Sequence, residues 1–195
     1  MKWQPPSISL VWIGTLAFFL AELPLWWMYA YKWHDRESIQ FFATIIAGSF
    51  ALFAFLKGIE TSRNQEAGRF IERWNSPDLR SIVTRSRPLV ERTLKSEDYA
   101  RPKYDPAKAS ADQTQLRGDI VTILGMFEEI AIAVAQKHAS EDRIKEFFEA
   151  VIPGGYDGFQ GFILSERKED KQYYYIPTQR LVERWTKIKR PDMLP

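Results

Sequence analysis

A chain of 195 residues with 27 basic and 25 acidic side chains has room for a membrane segment and one soluble domain, and its net charge of +2 offers no basic footprint for nucleic acid. It has no cysteine, which excludes disulfides, thiolate metal sites and cysteine nucleophiles. Its two histidines, His34 and His138, are too far apart in sequence to suggest a histidine metal site, so neither a metal nor another cofactor is expected. Charge is unevenly spread. Residues 1–56 hold three Lys or Arg and three acids, whereas the rest of the chain holds 24 basic and 22 acidic side chains. The chain therefore reads as two parts, a transmembrane hairpin over residues 1–56 and a helical cytoplasmic domain over residues 57–195.

The first apolar segment, residues 8–31, has 24 residues and a single charge, Glu22. At 1.5 Å per residue it reaches roughly 36 Å as a helix, enough for a tilted crossing of a bilayer core. Pro5, Pro6 and Ser7 make a suitable helix entry. A cleaved signal peptide is the competing reading, but no small-x-small site follows and Trp26-Trp27 stands where cleavage would fall. Residues 32–38 are a polar turn, and residues 38–56 form a second apolar segment of 19 residues without charge. Five of the seven tryptophans fall in the first 33 residues, a bias that belongs to membrane interfaces. Lys2, Lys57, Arg63, Arg69 and Arg73 flank the outer ends of the hairpin, against Lys32 and Arg36 in its turn, which places both termini in the cytoplasm.

Two intramembrane features stand out. Glu22 lies near the middle of the first span with Pro24 two residues on. An unpaired carboxylate there costs about 3 kcal/mol, and Pro24 frees the carbonyl of Leu20. Glu22 is read either as a protonated group hydrogen-bonding across the hairpin or to another copy, or as a proton or ion relay. Ala43, Ala47 and Ala51, with Gly48 beside them, form a small-residue row that either packs the two spans together or makes a dimer interface.

Beyond Leu56 the helix is expected to run on to Trp74, because no proline intervenes and Ala67, Phe70, Ile71 and Trp74 share one helical face. Ser76 caps a following helix that starts at Pro77 and runs to about Leu94, with Pro88 as a possible kink. Residues 96–114 read as a loop. The strongest soluble helix spans 115–137, apolar over most of its circumference through Leu116, Ile120, Ile123, Leu124, Phe127, Ala131 and Val134, and so is buried centrally. Ser140 opens another helix through Phe147-Phe148, which Pro153-Gly154-Gly155 is expected to break. Tyr156, Phe159, Phe162 and Ile163 continue the helical pattern, a charged stretch leads to Tyr173-Tyr174-Tyr175, and Thr178 is expected to cap the last helix. No segment alternates with period two, so the fold class is all-α, a helical bundle.

No phosphate loop or nucleophile–histidine–acid arrangement is visible, and the chain is read as not an enzyme. Glu128-Glu129 is the one carboxylate pair on the central helix. Glu128 is expected to form a structural ion pair, with Arg73 or Arg167 as partner, rather than to act as a catalytic acid. The three tyrosines are read as core or as a binding patch.

The segment Phe70-Ile71-Glu72-Arg73-Trp74-Asn75-Ser76-Pro77 resembles the bacterial membrane family catalogued as domain of unknown function 4760. So do Ile123-Leu124-Gly125-Met126-Phe127-Glu128-Glu129-Ile130-Ala131, the Phe-Phe helix, and a Tyr-x-x-Phe-x-x-Phe-Ile segment ending near Arg167. The similarity covers residues 40–170. It implies a two-span protein of the bacterial inner membrane with a helical cytoplasmic domain, and it supplies no activity. The expected role is a membrane-anchored protein-interaction or regulatory module, with the lipid bilayer and a protein partner or a second copy as partners. An accessory subunit of a larger membrane complex and a small ion or proton transporter using Glu22 are the alternatives.

Overall fold

The computed structural model describes residue 23 and residues 36–101, 103–170 and 174–188. The span over residues 8–31 (Leu23 apart), Glu22, Pro24 and Tyr173 lie outside the described residues. The chain divides into two compact units, Met1–Ile59 and Glu60–Pro195. Among the described residues every element is helical, as the all-α reading expects. The elements are α1 (Arg36–Trp74), α2 (Pro77–Val90), a 3-10 turn (Ser96–Tyr99), α3 (Ala111–Ala135), α4 (Glu141–Phe148), α5 (Val151–Gly158), α6 (Gln160–Asp170) and α7 (Ile176–Thr186).

In the first unit, α1 is long and apolar enough to cross a membrane, and its apolar stretch is not buried against protein. Phe41, Phe50, Leu52, Phe55 and Leu56 are exposed. So large an unburied apolar surface is unfavourable in water and neutral in lipid. Two of its hydroxyls are satisfied within the helix. The Thr44 hydroxyl donates to the Gln40 carbonyl and the Ser49 hydroxyl to that of Ile45, both at 2.9 Å, which is what a helix in hydrocarbon requires.

In the second unit, the last turns of α1 enter a core. Ala67 and Phe70 are buried, and Ile71 and Trp74 pack on the core from its margin, the four residues of the expected face. Trp74 stacks on Phe127 with ring centroids 5.8 Å apart and meets Phe148 edge-on at 5.6 Å. Ser76 then caps α2, its hydroxyl accepting the Leu79 N–H at 3.3 Å, with Pro77 at the first helical position. Helix α2 stops at Val90, short of the expected Leu94. Arg92 takes up a left-handed conformation (φ 59°), and the N–H groups of Thr93 and Leu94 turn back to the Pro88 carbonyl.

Helix α3 is the centre of the domain and buries Ile120, Ile123, Leu124, Met126, Phe127, Ile130, Ala131 and Val134. It starts four residues earlier than the apolar pattern suggests. A capping box sets the start: the Ser110 hydroxyl accepts the Gln113 N–H at 3.2 Å, and the Gln113 side chain accepts the Ser110 N–H at 3.0 Å. The Ser140 N–H, at the start of α4, donates to the Arg63 carbonyl of α1 at 3.1 Å and ties the α3–α4 turn to that helix.

Two expectations for the C-terminal half are corrected. Pro153-Gly154-Gly155 does not break a helix but lies inside α5; the break is at Glu149 and Ala150. Pro153 is the third residue of α5, where a backbone N–H has no intrahelical acceptor, so its absence costs little. Two glycines of this helix answer to packing. A Cβ on Gly155 would stand 2.7 Å from Phe127 Cε2, and one on Gly158 would stand 2.7 Å from Val90 Cα. Thr178 does not cap α7. Tyr175, in a left-handed conformation (φ 60°), holds the cap position and provides no side-chain bond, while Thr178 sits buried in the first turn. The loop expected over residues 96–114 contains the 3-10 turn, whose Ser96 hydroxyl accepts the Phe162 N–H of α6 at 3.2 Å.

Candidate functional site

Helix α6 carries charge into the core. Its buried stripe, Phe162 and Ile163, continues one turn later not with apolar residues but with Glu166 and Arg167, 4% and 2% exposed. Two polar groups form around them, both within the second unit.

The first centres on Glu166. One carboxylate oxygen accepts the Arg101 N–H at 2.8 Å and Arg117 Nη2 of α3 at 3.0 Å, and the other faces Arg101 Nε at 3.2 Å. Arg117 also donates to the Tyr99 carbonyl, and its guanidinium lies over the rings of Tyr104 and Phe162, at 5.0 and 5.3 Å from their centroids. This is how a buried carboxylate is tolerated: its oxygens are filled by charged and backbone donors while the cation is covered by aromatic faces. Nearby on α3, Asp119 receives a bidentate pair from Arg85 of α2, Nε at 2.7 Å and Nη2 at 2.9 Å. The hydrogen bond to Asp119 raises the pKa of Arg85 further above its ordinary value.

The second group surrounds the start of α7. Arg167 Nε donates to the Tyr174 carbonyl and Nη1 to Gln179 Oε1, each at 2.8 Å. Gln179 Oε1 also accepts the Tyr156 hydroxyl at 3.2 Å, and its Nε2 donates to Glu183 at 3.1 Å. Burial pushes the Glu128 carboxyl up from its ordinary value, with the Tyr175 backbone N–H opposing the shift. Burial, followed by the charges of Glu128 and Glu166, pushes the Tyr175 hydroxyl up to about 12. Tyr175 is thus a neutral phenol at physiological pH, at the margin of the core rather than a surface patch.

The ion pair expected of Glu128 falls to its neighbour. Arg73 Nη1 meets Glu129 Oε2 at 2.5 Å, with both side chains half exposed. Glu128 and Glu129 stand about 100° apart round α3 and meet different partners: Glu129 reaches Arg73 of α1, and Glu128 accepts the backbone N–H of Tyr175 at the start of α7. Arg167, the other expected partner, bonds to Gln179 and the Tyr174 carbonyl instead. Ala43, Ala47, Gly48 and Ala51 lie exposed on α1, and a Cβ added to Gly48 would meet nothing within 4 Å. Sequence reasoning missed Arg101, Arg117, Asp119, Glu166 and Gln179. Its usable signal was the placing of Glu166 and Arg167 three and four residues beyond Ile163, where an apolar stripe should have continued.

A surface cleft of about 270 Å³ opens beside the first group, lined by Asp98, Tyr99, Lys103, Tyr104, Asp105 and Lys108 among others. Its lysines are engaged, Lys103 with Asp98 at 3.1 Å and Lys108 with Asp105 at 3.0 Å. Among the described residues no group of three or more His, Asp or Glu is placed to hold a metal.

The family model described as Domain of unknown function (DUF4760) matches residues 41–185. The chain belongs to that family. The DUF4760 match begins in the apolar stretch of α1 and ends at Trp185 in α7, so it includes that stretch together with both polar groups. No curated protein and no solved structure matches the chain.

Proposed function

We propose that this DUF4760 protein is a non-enzymatic, membrane-anchored module whose helical domain serves protein interaction or regulation. The observation that carries the reading is the composition of α1. One helix, Arg36–Trp74, contains both an unburied stretch long and apolar enough to cross a membrane and residues that lie in a domain core, Ala67 and Phe70. In this reading residues 1–56 form a two-span hairpin in a bacterial inner membrane with both termini cytoplasmic, and α1 is the anchor of the domain.

A second reading, an accessory subunit of a larger membrane complex, is favoured by the exposed row Ala43, Ala47 and Ala51, since small residues let helix backbones approach closely in lipid. One experiment serves both. The full chain extracted in mild detergent is expected to run as a homo-oligomer or with a stoichiometric partner, measured by size exclusion with light scattering. A change of Ala47 and Ala51 to Leu that dissociates the assembly favours the subunit reading, and one that leaves it intact favours contacts through the helical domain. A strictly monomeric chain without partner contradicts both.

A further inference from the structure

Arg167 is the least compensated charge among the described side chains of the core. It is 2% exposed, and its described partners are neutral: the Tyr174 carbonyl and the Gln179 side chain. These two partners bracket the start of α7, an 11-residue helix whose cap residue, Tyr175, contributes no side-chain bond. A guanidinium is a planar fork in which Nη2 stands between Nε–H and Nη1, so Nη2 faces the same first turn. Nη2 has no hydrogen-bond partner, and neither has the hydroxyl of Thr178, the third residue of α7, which is 0% exposed. The first-turn N–H groups of Ile176 and Thr178 have no intrahelical acceptor either. A buried cation bonded to residues on either side of the start of α7, an unmet hydroxyl in its first turn and a helix N-terminus with its partial positive charge therefore all belong to the same end of that helix. Each favours negative charge or an acceptor oxygen.

We infer that the first turn of α7 is a binding site for a small oxyanion of the phosphate type, held by Arg167 Nη2, the Thr178 hydroxyl and the turn's N–H groups. The burial of both side chains favours the anion itself over one with a large substituent. Glu128, beside the Tyr175 N–H, and Glu183, bonded through Gln179, oppose the anion and limit its affinity. Glu166 is turned to Arg101 and Arg117.

The test uses the full chain in an uncharged, phosphate-free detergent, titrated calorimetrically with inorganic phosphate at constant ionic strength. Saturable binding of one phosphate per chain is expected. Thr178→Val removes a hydroxyl that has no partner in the protein, so the variant should keep the parent's Tm while its Kd weakens about tenfold, the worth of one hydrogen bond to a charged group. Glu128→Gln, which removes an opposing carboxylate, should tighten binding. Glycerol phosphate distinguishes the source: equal binding marks a site open to a lipid headgroup, and failure to bind marks one for the free ion, both upholding the site. Absence of saturable binding to the parent chain, or an unchanged Kd in a folded Thr178→Val, overturns the inference and leaves these atoms to internal water.

Discussion

Phe127→Ala is expected to destabilise the helical domain by about 3–5 kcal/mol, the range for removing a buried phenyl ring from a core. Phe127 is among the largest fully buried side chains, stacked on Trp74 of α1 and set against Gly155 of α5, so its loss opens a cavity where three helices meet. At about 2–4 °C per kcal/mol for a domain of this size, thermal unfolding of the full chain in detergent should fall by about 6–20 °C. The contact with Gly155 gives the prediction a sharper form. In the parent chain Gly155→Ala forces a methyl to within 2.7 Å of the Phe127 ring and should itself destabilise. In the Phe127→Ala background the same methyl enters vacated space, so the double variant should be more stable than the sum of the two singles by about 1 kcal/mol or more. Strict additivity would show that the helix contact is looser than described.

Glu166→Leu should cost about 3 kcal/mol, measured by denaturant unfolding, because it strands charged donors that the carboxylate now satisfies. Arg117 is the main loser, since its side chain is mostly buried, whereas Arg101 is half exposed and can turn to water. Adding Arg117→Met should recover part of the loss, because a buried ion pair replaced on both sides by apolar groups is often neutral. A Glu166→Leu variant as stable as the parent would mean that the pair contributes nothing net and that the segment around Tyr99 and Arg101 is held by packing alone.

Much of this architecture is legible in the sequence. The apolar face of α3, the run of α1 to Trp74 and the Ser76-Pro77 start of α2 all follow from short-range rules of periodicity and capping. What was misread depends on partners distant in sequence. Pro153-Gly154-Gly155 has the composition of a breaker, yet Gly155 is where the Phe127 ring comes too close for a Cβ, as Val90 of α2 does at Gly158 three residues on. Thr178 has the chemistry of a cap, but Tyr175 in a left-handed conformation starts the helix three residues earlier. The polar groups were hidden for the same reason. Glu166 and Arg167 look like a solvated charged stretch until α3 and α7 supply their partners. Glu128 and Glu129 are equivalent to any composition rule, and only their partners in the fold, the Tyr175 N–H for one and Arg73 for the other, tell them apart.

The central claim, that the first stretch of α1 lies in a lipid bilayer, can be tested at a single residue because the chain has no cysteine of its own. Phe50 is 69% exposed on α1, so Phe50→Cys will face lipid if the claim holds and water if it does not. Opened membranes, accessible from both sides, would be treated with a membrane-impermeant maleimide, with Glu146→Cys on the exposed surface of α4 as reference. The account predicts prompt labelling at position 146 and protection at position 50 until detergent is added. Labelling at position 50 as fast as at position 146 in intact bilayers would contradict it.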